Sequence, residues 1–351
     1  MKTDRKNNLK NRFIKSCFIT ALAAFIIITH TACGGEAPVS KTDFCLDTSC
    51  TITIYDDMKK SDAEQIIEDS FALMRDYERM LSKTISTSDV AEINSSEGQW
   101  TEVSDETIEV IRMANMIAYE SGGVFDITIG KVTDLWDFKS EAPQVPAGED
   151  ISDALGHVDY KRITTGGGRV LVSDPEAEID LGGVAKGYIA DKTAAFLEEK
   201  GIMSAVVNLG GNVVVIGEKD EDTPWTVGIE RPFTDRKELI GTVEVTDATV
   251  VTSGIYERNF EADGKIYHHI LDPETGYPAQ TDLEAVTIIA KKGNSGFCDA
   301  VSTACLILGK DKAIEFIRQL QTNYPDRGIE AAFIDNNGDL VQTDGMDIKE
   351  E

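Results

Sequence analysis

The chain has 351 residues, of which 41% are hydrophobic and 27% charged, so a packed globular core is expected rather than disorder. Its formal net charge is −28, and its first 15 residues hold six basic side chains and one acidic one, so the remainder is more acidic still. This charge argues against a nucleic-acid partner. It also repels anionic ligands, so a phosphate-bearing substrate would need local donors and a bound cation.

The N-terminal segment has the pattern of an export signal. A basic stretch precedes the apolar run 17–28, which is short for a membrane span and suited to a signal peptide. The sequence TACGG over 31–35 resembles a bacterial lipoprotein cleavage box, in which Cys33 would be lipidated. His30 stands where such boxes usually carry leucine, so ordinary secretion or an uncleaved anchor is the alternative. Either way, we predict export, with a lipid anchor on the outer face of the cell membrane.

Helical and strand patterns then alternate along the chain. A capping box over 61–64 predicts the start of one helix, and an apolar stripe predicts a second over 104–121, before Gly122 and Gly123. Alternating residues at 177–181 predict a short strand, which a third helix follows. Glycine-rich turns are predicted at 166–168 and 336–338. Further strands are predicted at 50–55, 124–129, 169–173, 204–208, 212–217, 225–230, 239–245, 248–252, 266–270, 285–290 and 329–334. The fold class is therefore α+β, with mixed sheets flanked by helices in one domain, or in two subdomains with the site between them.

The sequence DLGGVAKG over 180–187 predicts a strand end, a glycine turn and a helix with Lys186 in its first turn. Glycines let backbone N–H groups approach an anion, and a helix start supplies unpaired donors and partial positive charge. This pattern favours a phosphate site. A tight strand-to-helix connection with a solvated lysine is the alternative.

A helix predicted from about residue 295 carries Asp299, Ser302 and Thr303 at i, i+3 and i+4. Residues so spaced share one helix face, and their hard oxygen donors suit Mg²⁺. Because Mg²⁺ keeps several waters and is usually held by one or two carboxylates plus substrate phosphates, this sparse set suits a nucleotide site. The alternative is a helix-dipole carboxylate with hydroxyls bonded back to the backbone.

Two further segments carry polar groups at a turn or a strand end. Phe125 and Asp126 follow a helix stop, as in a nucleoside-binding turn or a simple helix cap. His268 and His269 are adjacent on a predicted strand, so only one can point into a site. A histidine can act as a base at neutral pH, although a lone strand histidine is more often structural.

Four cysteines follow Cys33 and are expected to be reduced and buried. Cys45 and Cys50 are five positions apart in what we interpret as one strand, and Cys298 and Cys305 are seven apart on one helix. Both separations exceed what a disulfide allows.

Five motifs occur in the order and spacing of the ApbE family, the FAD:protein FMN transferases, which the chain resembles from about residue 44 to 335. They are DLGGVAKG (180–187), VNLGG (207–211), TSG (252–254), HILDPETG (269–276) and DAVST (299–303). The resemblance implies Mg²⁺-dependent cleavage of FAD, with FMN passing to a threonine or serine of a partner flavoprotein and AMP leaving. That partner would be a membrane or exported redox subunit with a motif of the type Asp-x-[Ser/Thr]-Gly-Ala-[Ser/Thr].

Site residues are carried over from the family by position. Mg²⁺ would be bound by Asp299, Thr303, Ser302 and a backbone carbonyl at Gly183. FAD contacts fall on Leu46, Thr84, Val124, Phe125, Asp126, Asp180, Lys186 and Ile270. Family members often carry Met-Gly-Thr at 46–48 and an aromatic residue at 84, and this chain departs from both.

The general base is not settled by the motifs. We favour His269, and Asp180 or a metal-bound solvent molecule could serve instead. Two other functions stay open, namely an FAD pyrophosphatase that releases FMN and AMP, and a lipoprotein that sequesters FAD without turnover. The predicted organisation is a signal peptide over 1–32, a tether over 33–43, an ApbE-like domain over 44–340 and an acidic tail over 341–351.

Overall fold

The computed structural model of the protein describes residues 37–233 and 238–350. The predicted signal peptide and the first residues of the tether, Cys33 among them, lie outside these residues. Within them, no helix is long and apolar enough to span a membrane. The helices are α1 (Lys60–Leu81), α2 (Asp89–Asn94), α3 (Asp105–Glu120), α4 (Gly130–Trp136), α5 (Gly148–Leu155), α6 (Ala185–Glu199), α7 (Ser295–Leu308) and α8 (Lys310–Asn323).

The strands are numbered along the chain. They are β1 (Val39–Cys45), β2 (Thr48–Ile54), β3 (Thr101–Glu102), β4 (Ile163–Gly166), β5 (Arg169–Val172), β6 (Ala205–Leu209), β7 (Asn212–Ile216), β8 (Trp225–Glu230), β9 (Leu239–Val245), β10 (Ala248–Gly254), β11 (Asn259–Ala262), β12 (Lys265–His268), β13 (Leu283–Lys291), β14 (Glu330–Asp335), β15 (Leu340–Gln342) and β16 (Lys349–Glu350).

An eight-stranded sheet forms the centre of the fold. Its order is β1-β2-β6-β7-β10-β13-β14-β15, and every neighbouring pair is antiparallel. Helices α1, α6, α7 and α8 contribute to the core on one face, and the three-stranded sheet β16-β9-β8 packs on the other. Burial on both faces explains the nearly continuous apolar sequence of β7, whose five residues are all buried. The α+β prediction is confirmed.

Most predicted helices and strands are confirmed, but two strands are not. Residues 124–129 and 177–181 form loops, joined by an isolated bridge between Ile129 and Glu178 and by a hydrogen bond from the Asp180 N–H to the Ile127 carbonyl at 2.7 Å. The Asp126 carboxylate accepts hydrogen bonds from the backbone N–H groups of Thr128 and Tyr160, at 2.8 Å each. Hydrogen bonds to a side chain therefore replace those of a strand ladder in this segment. The capping box at 61–64 was also wrong, because α1 starts earlier, after Lys59, without a side-chain cap.

Both ends of the described chain pack more closely than the sequence indicated. Strand β1 begins at Val39, inside the range predicted as a tether, and pairs along its whole length with β2. Near the other end, in the range predicted as an acidic tail, β16 pairs with β9 while Met346 and Ile348 are buried in the core. Alternating apolar residues within this acidic stretch explain the packing.

The four described cysteines are free and buried, as predicted. The spacing argument for one pair was wrong, however. Cys45 and Cys50 lie on the two arms of the β1–β2 hairpin, whose turn places Leu46 and Asp47 at positive φ. The Cys50 thiol donates to the Cys45 carbonyl oxygen at 3.5 Å, and the Cys45 thiol lies 4.0 Å from the Met74 sulfur.

Candidate active site

The glycine turn and the acidic helix, predicted as two halves of one site, lie in direct contact. Helix α6 starts at Ala185, so Lys186 is in its first turn. The backbone N–H of Gly187 donates to Asp299 Oδ2 of α7 at 3.0 Å. A Cβ atom at Gly187 would lie only 2.2 Å from the Ser295 carbonyl oxygen, so the two helices touch through their backbones. This contact brings a helix start that can bind an anion beside a buried carboxylate.

The turn itself is held by the Asp180 side chain rather than by a strand. Asp180 Oδ1 accepts from the Gly182 N–H at 2.8 Å, and the next residue, Gly183, faces the second half of the site. An ideal Cβ at Gly183 would lie 3.0 Å from the Phe125 ring and 3.8 Å from Thr303 Oγ1. Phe125, Gly183 and Thr303, predicted from three distant segments, are therefore neighbours.

Asp299 is a buried carboxylate with few partners. Burial raises its pKa, against the opposing effects of the Lys186 charge, the Gly187 N–H and the Asn212 amide. Asn212 is fully buried on β7, and neither its Oδ1 nor its Nδ2 makes a well-formed hydrogen bond. Unsatisfied polar atoms beside a buried carboxylate fit a site for a hydrated cation.

The two hydroxyls of α7 differ in exposure. Ser302 is fully buried, and its Oγ lies 2.7 Å from Ser253 Oγ of β10 while donating to the Asp299 carbonyl oxygen. Thr303 is half-buried, and its hydroxyl donates to the same carbonyl at 3.2 Å. Thr303 therefore has the more accessible oxygen for a ligand, and Ser302 links the helix to the central sheet.

No group of three or more histidine, cysteine, aspartate or glutamate side chains suited to a metal occurs in the described part of the chain. The set formed by Asp299, Thr303 and the Gly183 carbonyl is sparser than such a cluster. One carboxylate, one hydroxyl and one carbonyl would leave positions for water and phosphate oxygens, an arrangement that would suit Mg²⁺ better than zinc.

His269 follows the β11–β12 hairpin and has a defined tautomer. Its Nδ1 lies 3.2 Å from the Arg258 carbonyl oxygen, which can only accept, so Nδ1 carries the proton and Nε2 keeps its lone pair. Burial, then the Arg258 charge, and also Lys186 and His268, lower the pKa of His269 to about 3, so the ring is neutral at pH 7. His268 is buried and directed to the Ala279 carbonyl, as strand alternation requires.

Lys83 is a site residue that sequence reasoning missed. Its Nζ lies 3.1 Å from Asp180 Oδ2, 2.6 Å from Asp134 Oδ1 and 2.7 Å from Thr133 Oγ1. Burial disfavours the Asp180 carboxylate, but Lys83, Gly182 and Thr133 outweigh this and hold its pKa below the usual range. Asp180 is thus fully engaged in bonds that shape the turn. The only local signal was a lysine just beyond the end of α1.

The remaining predicted FAD contacts lie on loops. Leu46 is half-buried in the β1–β2 turn, where its N–H donates to Glu78 at 3.1 Å. Thr84 is exposed and adjacent to Lys83, whereas Ile270 is buried next to His269. Val124 is half-buried beside Phe125. The buried carboxylate of Asp126 has its pKa raised by burial, and it braces the loop that positions Phe125.

A partly buried carboxylate of α6 supports α7 and gives a pH prediction. Asp191 of α6 accepts from the Ser295 and Gly296 N–H groups at 3.0 Å each, and burial, against these bonds, raises its pKa to about 6. The pKa of Asp191 is higher in the folded state than in the unfolded state. Its contribution to the stability of the folded protein is therefore full below about pH 4 and is lost as pH rises through about 6.

We therefore expect the free energy of unfolding of the unsubstituted protein to fall by up to about 3 kcal/mol between pH 4 and pH 7 because of Asp191. Asp191→Asn should remove this fall. Urea unfolding across this range would measure it. Asp311→Asn, at an exposed position, is the control. Parallel pH profiles for Asp191→Asn and the unsubstituted protein would contradict the assignment.

A helix start that can bind anions, set against a buried carboxylate, is the kind of site that suits a protein acting on a phosphate compound. The sequence identifies the family, because it matches the model of the ApbE family over residues 46–333. The chain belongs to the ApbE family.

Relatives and solved structures agree with this assignment. The chain is similar to an FAD:protein FMN transferase of Treponema pallidum, with 33% identity over 322 residues, covering 86% of this chain and 87% of the relative. An FAD:protein FMN transferase of Klebsiella pneumoniae is 35% identical over 276 residues, covering 77% and 82%.

Among solved structures, the ApbE protein of Thermotoga maritima matches with a TM-score of 0.77 and 33% identity, covering 88% of this chain and 97% of that one. The apo form of the Pseudomonas stutzeri flavinyl transferase ApbE matches with a TM-score of 0.75 and 28% identity, covering 89% and 96%.

Proposed function

We propose that the protein is an Mg²⁺-dependent FAD:protein FMN transferase, which attaches FMN through a phosphoester bond to a threonine or serine of a partner flavoprotein and releases AMP. The contact between Gly187 and Asp299 carries the proposal, because it joins a phosphate-binding helix start to a metal-binding carboxylate. The activity named for the curated relatives supports the same conclusion.

In this reaction the chain's residues bind and orient the pyrophosphate. Lys186 and the Gly183 N–H would hold non-bridging oxygens, and Asp299, Thr303 and the Gly183 carbonyl would hold Mg²⁺. Bound there, the cation would neutralise charge that develops on the phosphates.

The acceptor hydroxyl would attack the FMN-side phosphorus in line with the bond to AMP. A new P–O bond forms to the acceptor, the bond to the AMP phosphate oxygen breaks, and AMP leaves with the bonding electrons. The hydroxyl proton goes to His269 Nε2, which is free to accept it because Nδ1 is held by Arg258.

His269→Gln is expected to lower kcat for FMN transfer by about 100-fold while FAD affinity changes little, because only proton transfer is lost. Steady-state kinetics with fluorescence titration of FAD would separate the two effects. His157→Gln is the control, since His157 is paired with Asp174 elsewhere. A wild-type kcat in His269→Gln would assign the base to another group.

One incubation distinguishes the three candidate functions. The purified full chain is mixed with FAD, Mg²⁺ and an acceptor that bears an Asp-x-[Ser/Thr]-Gly-Ala-[Ser/Thr] motif, and the acceptor mass is measured. Covalent FMN on the acceptor supports the transferase. Free FMN with AMP supports a pyrophosphatase, and unchanged FAD supports a binding lipoprotein.

We also propose that the protein is exported and lipid-anchored through Cys33, where it would meet a membrane or exported redox subunit. The basic, apolar and small-residue order of the first 33 residues supports this. Fractionation of cells that express the intact chain and Cys33→Ala would test the proposal, since only the former should stay with the membrane and carry added lipid mass.

A further inference from the structure

The β11–β12 hairpin fixes one arginine beside the proposed base. Asn259 pairs with His268 in the hairpin register, and the next backbone bond runs from the His269 N–H to the Arg258 carbonyl at 3.1 Å. Arg258 and His269 are therefore cross-strand neighbours at the open end of the hairpin. Side chains at such positions have Cβ atoms about 5 Å apart and lie on the same side of the ladder.

Arg258 and Lys186 are two cations close to His269, and Lys186 also acts on the Asp299 carboxylate. Both side chains are half-buried, and among the described residues neither makes an ion pair or a side-chain hydrogen bond. Both charges act on His269, so the two cations converge on one region. Clustering two half-buried positive charges costs free energy by mutual repulsion. In a chain with 62 acidic residues, the lack of an ion pair for either cation among the described residues indicates a place kept for an anionic ligand.

We propose that Arg258 is a second cationic ligand of the FAD pyrophosphate, acting together with Lys186. This inference rests on the proposed function, because FAD is taken as the anion. A guanidinium can bind two phosphate oxygens at once, which a lysine cannot, so Arg258 would fix the orientation of the phosphate and Lys186 would supply a point charge.

The test compares the binding of FAD with that of riboflavin, which has the same ring system and no phosphate. Arg258→Gln in the full chain is expected to lower FAD affinity by about 10- to 100-fold and to leave riboflavin affinity unchanged, measured by flavin fluorescence titration. Arg258→Lys should recover part of the loss, and added guanidinium chloride at low concentration should restore FAD binding to Arg258→Gln. Arg169→Gln is the matched control, because Arg169 is exposed and stacks on Trp100.

The outcomes are distinct. Wild-type FAD affinity in Arg258→Gln would overturn the proposal, as would an equal loss of FAD and riboflavin binding, which would indicate a damaged ring pocket or fold. Failure of the proposed function would instead appear as FAD binding without transfer in the unsubstituted protein. Because binding is measured separately from transfer, the Arg258 result is interpretable in either case.

Discussion

Asp299→Ala is expected to abolish FMN transfer and the Mg²⁺ binding that depends on flavin. The variant removes the only carboxylate proposed to hold the cation, and the remaining hydroxyl and carbonyl oxygens carry no charge. Loss of a metal-orienting group typically costs 10- to 100-fold, and loss of the charged ligand itself should exceed about 100-fold. Acceptor mass analysis and calorimetric titration of Mg²⁺ with and without FAD would measure both effects.

Loss of activity in this variant should not come from unfolding. Asp299 is buried and its pKa is raised by burial, so its charge is a cost to the folded state that alanine removes. The thermal midpoint of Asp299→Ala is therefore expected to stay close to that of the unsubstituted protein. Asp311→Ala, on the neighbouring helix α8, is the matched control and should retain full activity. An Asp299→Ala protein that flavinylates its target at the normal rate would contradict the site.

Gly187→Ala is expected to destabilise the protein and to inactivate it together. The added Cβ would lie 2.2 Å from the Ser295 carbonyl oxygen and 2.7 Å from the Gly296 nitrogen. Both are backbone atoms of α7, which cannot move aside as a flexible side chain could. The helices must separate, at a cost of about 3 kcal/mol or more, and the Gly187 bond to Asp299 would lengthen.

Urea unfolding and FAD cleavage would measure the two consequences of this substitution. Gly166→Ala is the matched control, because a Cβ at Gly166 meets no atom within 4 Å. Gly166 also needs no positive φ, so alanine there adds no backbone strain. The same urea midpoint for Gly187→Ala and the unsubstituted protein would mean that the helices can separate without cost, against the close contact described above.

Local sequence signals predicted the parts of the site that depend on one element. The glycines and Lys186 at the start of α6, and the i, i+3, i+4 spacing on α7, are properties of single helices, and the structure places them as expected. The alternation of apolar and polar residues at 177–181 predicted a strand that the structure does not have. A strand needs a hydrogen-bonded partner along its length, and this segment forms only one isolated bridge.

Pairings between distant segments could not be predicted from single elements. The Lys83 bond to Asp180 joins the end of α1 to the turn before α6, and no local pattern encodes it. Arg258 became visible only when the hairpin register set it opposite His269. The Cys45 and Cys50 contact likewise depends on a turn within what we interpreted as one strand.

The backbone contact between α6 and α7 has a consequence for sequence variation. Because the backbone of Gly187 packs directly against the backbone of Ser295, the spacing between the glycine turn and Asp299 is set by main-chain dimensions that every residue type shares. Apolar side chains around these helices can therefore be exchanged for others of similar volume without changing that spacing. A chain of this kind can diverge over most of its core and keep the same catalytic geometry, provided that one position has no side chain.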